Sequence, residues 1–155
     1  MMQTPTKRFQ SYLTPILESI PDVQKVGMSD GARIDRFLAA SVSEAVYPGI
    51  FFIRPKYVGY DVRSGILYHR FHTILYVFTK ADQNDDDGQD EAFMNSEWIA
   101  TQAVEKIFQD SLTYKCLFDF NDYQAEPIDY VTTDAAYGYE VKLVIGIQVN
   151  DIYYP

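Results

Sequence analysis

The sequence predicts an α+β fold, a mainly antiparallel sheet with helices packed on one face. Three observations lead there. Apolar residues recur at helical spacing near the start of the chain and again around residue 100, whereas residues 66–80 and 139–149 are rich in β-branched and aromatic side chains. The 155 residues, 47% hydrophobic and 15% aromatic, suffice for one sizeable core and are too few for two ordinary domains. No internal repeat or linker divides them, so a single domain over 1–155 is expected.

Taken in order, Thr4 and Pro5 read as an N-cap followed by a proline at the first helical position. Phe9, Tyr12, Leu13, Ile16, Leu17 and Ile20 then mark an amphipathic helix, with a kink or a break expected at Pro15 and a stop at Pro21. Residues 23–28 suit a short strand, and Ser29-Asp30-Gly31 a turn. Ile34, Phe37, Leu38, Val42, Ala45 and Val46 mark a second helix ended by Pro48 and Gly49. Strands follow at 49–53 and, past Pro55, at 57–62. The run 66–80 carries apolar residues on both faces, which implies a strand buried on both sides for much of its length.

Residues 82–91 hold six carboxylates in ten positions and no base, so a solvated loop is expected; acids just before a helix also complement its dipole. A long helix follows, with Phe93, Ala100, Val104, Ile107 and Phe108 on one stripe and Trp98 and Ile99 at its flanks. Two strands close the chain, at 114–120 and 139–149. In the second, Tyr139, Val141, Leu143, Ile145, Ile147 and Val149 alternate with Glu140, Lys142, Gln148 and Asn150, so one face packs and the other meets water or a partner.

Net charge is −9, which excludes the domain-wide basic footprint of a protein that grips nucleic acid. The distribution says more than the total. Residues 54–80 carry five bases (Arg54, Lys56, Arg63, Arg70, Lys80) against Asp61, whereas 81–140 carry fifteen acids against two lysines. Solvated surface explains such runs in most proteins. The sharper expectation is that basic and acidic surfaces meet head to tail between copies, with Arg54, Lys56, Arg63 and Arg70 facing Asp85, Asp86 and Asp87. The single Cys116 excludes an intramolecular disulfide framework, and neither a signal-type segment nor an apolar run long enough to span a membrane is present.

Chemistry-bearing motifs are scarce. His69 and His72, three apart in a strand, project to opposite faces and do not share a metal. Asp85, Asp87 and Gly88 fit part of an EF-hand loop, but Gln83 and Met94 then stand where the first and last carboxylates belong. Cys116 reads as a small buried hydrophobe, Asp119, Asp122, Glu126 and Asp129 as solvated carboxylates, and no nucleophile elbow or phosphate-binding loop occurs. No catalytic residue, cofactor or metal is expected.

The leading amphipathic helix, the segment Ala45-Val46-Tyr47-Pro48-Gly49-Ile50-Phe51-Phe52, the long strand Tyr68-His69-Arg70-Phe71-His72-Thr73-Ile74-Leu75-Tyr76-Val77, the main helix around Trp98 and the last alternating strand together resemble tail terminator (tail completion) proteins of phages and contractile phage-tail-like particles. The resemblance spans nearly the whole chain and rests on element order and a loose Tyr-Pro-apolar signature. It implies an α+β subunit of a hexameric ring that ends the tail tube or sheath and docks the neck or head. A structural role in the virion or particle, assembled in the host cytoplasm and without enzymatic activity, is what the resemblance implies. Its partners would be its own copies and tube, sheath or neck proteins, with no membrane and no sequence-specific nucleic acid. The alternative is an acidic monomeric binding module of the immunity or inhibitor type that uses the 82–91 segment.

Overall fold

Thr4 opens the first helix by accepting a hydrogen bond from the Lys7 amide at 3.2 Å, with Pro5 in the first turn, where no helical donor is lost. This computed structural model describes residues 3–29, 47–61, 65–130 and 136–154. Helix α1 spans Pro5–Glu18 and buries Phe9, Leu13 and Leu17, one face at four-residue spacing. It runs through Pro15 without the expected break; Pro15 lies on the exposed side, and the helix ends within the next turn. The second helix expected around 34–46 lies outside the described residues.

Strands β1 (Lys25–Ser29), β2 (Gly49–Ile53), β3 (Lys56–Asp61) and β4 (Leu67–Lys80) come next. Helix α2 (Asp86–Leu112) follows, then β5 (Leu117–Phe118), a 3-10 turn at Phe120–Asp122, β6 (Gln124–Tyr130), β7 (Ala136–Gln148) and the short α3 (Asn150–Tyr153). The described strands form one seven-stranded sheet. Its path runs β1-β2-β4-β7-β5, with β3 also on β4 and β6 also on β7. Only β1 and β2 pair parallel; β4 and β7 form the antiparallel centre, in register from Tyr68 opposite Gln148 to Lys80 opposite Ala136.

Alternation on these central strands decides which face receives the helices. Phe71, Leu75 and Val77 of β4 and Val141, Leu143, Ile145 and Ile147 of β7 are buried against α1 and α2. Phe9 stacks on Phe71 with ring centres 4.9 Å apart and meets Phe52 edge-on at 5.9 Å. Helix α2 meets the sheet through Ala92, Ser96, Ile99, Ala100, Ala103, Val104 and Ile107. Its small side chains let helix and sheet approach closely, and the buried Ser96 hydroxyl is satisfied by the Tyr137 carbonyl at 3.1 Å and by Thr79 Oγ1 at 2.9 Å. Gly138 marks another close approach: a Cβ there would lie 1.7 Å from the Val77 carbonyl oxygen.

Several expectations change. Residues 86–91 are the first turns of α2 rather than loop, because Asp85 caps the helix through the Gly88 amide at 3.1 Å and Asp86 and Asp87 sit at its positive end. With these residues helical or capping, no EF-hand loop forms. The strand expected over 114–120 shrinks to β5, since α2 ends in a Schellman turn: the Lys115 amide bonds the Asp110 carbonyl at 3.0 Å, that of Tyr114 bonds Ser111 at 3.3 Å, and Tyr114 takes φ 60°. Burial of β4 on both faces holds only near its C-terminal end, where Phe78 is buried and Ile74 and Tyr76 half-buried; Arg70 and His72 are exposed. Trp98 points to solvent, and Phe108, partly exposed, meets Phe120 edge-on with ring centres 6.1 Å apart. Strand β6 was not expected at all.

Candidate functional site

The face of the sheet opposite the helices divides along its strands. At one end Tyr47, Phe51, Phe78 and Ala136 form a second apolar cluster with Ile53, Tyr76 and Ile128 packed against it. Toward the other end the side chains are polar and basic. Lys56 stands opposite His72 and Val58 opposite Arg70, so these four residues share this face. The Arg70 guanidinium lies 4.1 Å from the centre of the Tyr60 ring, a cation–π contact that leaves its donors free for other groups. Arg54, Lys56, His72 and Lys142, with Asp122 as the one carboxylate, border a shallow depression of about 310 Å³ floored by Ile74 and Val144. Beside it, Arg70 and His72 also border one of about 710 Å³ whose far wall is Phe108, Phe118, Phe120, Asp119 and Asp122. Arg54, Lys56 and Arg70 form no salt bridge among the described residues, where Arg8 with Asp151 is the only pair. The sequence-predicted basic residues are thus brought together, except Arg63, which lies outside the described residues.

Asp85, Asp86 and Asp87 lie far from that patch. β4 advances about 3.3 Å per residue, so Arg70 is roughly 33 Å from Lys80, after which the acidic segment begins. Asp85 is occupied by capping, and Asp86 and Asp87 are exposed in the first turn of α2. The basic and acidic groups therefore do not meet within one subunit.

Beyond Asp87, a row of residues missed by the sequence reading continues along α2. Asp87, Glu91, Met94, Trp98, Thr101, Glu105, Phe108 and Leu112 are all exposed and are spaced alternately four and three apart. At about 100° per residue, the row lies nearly opposite the buried Ala92, Ser96, Ile99, Ala103 and Ile107 and faces away from the sheet, except that Phe108 turns toward Phe120, edge-on at 6.1 Å. Met94 is 65% exposed and Trp98 61%, whereas an ordinary surface helix keeps such side chains inward. The signal was present in the spacing, but two apolar rows at the same period compete on α2, and the larger residues belong to the outer one.

The histidines occupy opposite faces, as their spacing predicts. His69 is buried on the helix side, stacked on Tyr57 with ring centres 4.8 Å apart, and its Nε2 lies 3.1 Å from the Tyr153 hydroxyl. Burial pushes its pKa below the ordinary histidine value. Cys116 is buried with Sγ 3.6 Å from the Ile107 carbonyl, and burial raises its thiol pKa, so it is an inert core group rather than a nucleophile. Tyr12 donates to Asp110 Oδ2 at 3.0 Å and ties α1 to α2; burial, then its polar neighbours, raise its hydroxyl pKa far above normal. Asp119, Asp122, Glu126 and Asp129 are exposed, and Asp119 accepts from the Asn121 amide at 2.9 Å. Among the described residues no three metal-ligating side chains converge, and no helix is long and apolar enough to cross a membrane. The chain matches no protein-family model and no curated protein.

Proposed function

We propose that this chain is a ring-forming structural subunit that ends the tail tube or sheath of a phage or contractile phage-tail-like particle and docks the neck or head. The observation that carries the reading is the pair of unlike surfaces on its two sides. One is basic, around Arg54, Lys56 and Arg70 on the far face of the sheet; the other is acidic and apolar, along the outer side of α2. A closed ring of identical subunits needs two different, mutually complementary patches on each copy, and these lie on opposite sides with opposite charge. The element order that resembles tail terminators supports the placement in a tail. The role is one of assembly without chemistry, with copies of the chain and tube, sheath or neck proteins as partners.

Native mass spectrometry of the purified chain tests this. A discrete closed oligomer, hexameric by the resemblance, is expected at low salt and should dissociate as salt rises. A monomer at every concentration up to the solubility limit contradicts the ring and favours the acidic monomeric binding module instead. Electron microscopy of the particle tests the position: labelled chain found anywhere except a tail end contradicts the terminator role.

A further inference from the structure

We infer that the outer row of α2 in one copy docks on the β3–β4 surface of the next, with Trp98 as its central anchor. This rests on the ring reading and names the side chains that would join its subunits. The row from Asp87 to Glu105 extends about 27 Å along the helix, and it orders its chemistry: acids Asp87 and Glu91 first, then Met94 and Trp98, then Glu105. Asp87 and Glu91 make no hydrogen bond or ion pair among the described residues, so their charge is available to a partner.

The β3–β4 surface offers the complement. Every residue of β3 is exposed; Val58 stands beside Lys56 on its own strand and opposite Arg70 on β4, and the Arg70 guanidinium lies over Tyr60. Val58 is 52% exposed, directly opposite Arg70, so apolar contact and positive charge adjoin as they do around Trp98 with the sign reversed. Tryptophan, tyrosine and arginine are the residue types on which interface energy concentrates, and here they are exposed on both surfaces. Like charges forbid α2 rows from pairing with each other, and the same holds for two β3–β4 surfaces. The occupant is therefore a second copy in head-to-tail arrangement rather than a symmetric twin.

Trp98 is the only tryptophan in the chain, so its fluorescence reports this contact directly. On concentrating the intact protein from dilute to assembling conditions, Trp98 emission should shift to the blue and lose acrylamide quenching in step with oligomer formation by native mass spectrometry. Trp98→Ala and Arg70→Glu should each weaken assembly about tenfold or more, and Trp98→Phe should restore much of it. Because Trp98 and Arg70 are exposed, circular dichroism of the variants should match the parent. Assembly with unchanged Trp98 emission and unaffected variants overturns this contact and leaves the ring standing. Failure to assemble at any concentration overturns both.

Discussion

Helix α2 carries two rows of side chains at nearly the same spacing, and they obey different rules. The inner row is small and apolar, and it meets the sheet through Ala92, Ser96, Ala103 and the branched Ile99 and Ile107. The outer row is larger and charged, with Met94 and Trp98 between the carboxylates of Glu91 and Glu105. Periodicity says that a helix has a face; side-chain size and charge say which face a β-sheet accepts. A helix lying on the pleat of a sheet approaches closely only where its side chains are short, so bulk is displaced to the outside. The same contrast separates the two sides of the sheet, one sealed by α1 and α2 and the other presenting Arg70 and His72.

The largest effect should come from breaking the sealed side. Phe71→Ala removes the ring that Phe9 stacks on and should lower unfolding free energy by about 3–5 kcal/mol in chemical denaturation, whereas His72→Ala, its neighbour on the other face, should change it by less than about 0.5 kcal/mol. Comparable losses would erase the distinction between the faces. Next, Gly138→Ala should cost about 1–3 kcal/mol, because the added methyl meets the Val77 carbonyl within β4 and β7. Near-neutral behaviour would show that the two strands separate easily there.

A smaller effect follows from His69. Its native pKa lies below the ordinary value of 6.5, so the unfolded chain binds the proton more readily. The stability conferred by neutral, buried His69 is full above pH 6.5 and is lost as pH falls through the native pKa. Melting temperature measured against pH should drop over that window, and His69→Phe should flatten the drop; an unchanged slope would mean that other groups govern it. Of similar size and opposite sign, Tyr114→Gly should stabilise by roughly 0.5–1 kcal/mol, since Tyr114 holds a left-handed conformation in the Schellman turn and is 85% exposed. Smallest of all, Trp98→Ala should leave unfolding free energy within about 0.5 kcal/mol of the parent while assembly weakens, the reverse of Phe71→Ala.

Much of the fold was legible because alternation and helical spacing were strong. β2 falls at residues 49–53 as predicted, and the alternation from Tyr139 onward placed the buried face of β7. What escaped did so for physical reasons. β6 carries Glu126, Pro127 and Asp129, a composition that suits an edge strand and hides its period. Six carboxylates between 82 and 91 masked the start of α2, although their pairing with the helix dipole and the Asp85 cap is what allows the helix to begin there. The basic half of the candidate site was legible as a charge run and gathers around β3 and β4. Its counterpart is not: Asp85, Asp86 and Asp87 stand out by charge, while the spacing puts Phe108 on the apolar stripe of α2 and Trp98 at its flank, and nothing marks Met94 or Glu105.

The central proposal, that unlike surfaces on opposite sides join copies head to tail, is tested most directly by mixing two variants. One carries Arg54→Glu, Lys56→Glu and Arg70→Glu; the other carries the neutral replacements Asp87→Asn, Glu91→Gln and Trp98→Ala, so that the two altered surfaces do not attract each other. Each has one surface intact, and analytical ultracentrifugation of the mixture should show a one-to-one dimer and nothing larger, joined by the two unaltered surfaces, while each variant alone stays monomeric. Oligomers formed by either variant alone, or a mixture that remains monomeric while the parent assembles, would contradict it.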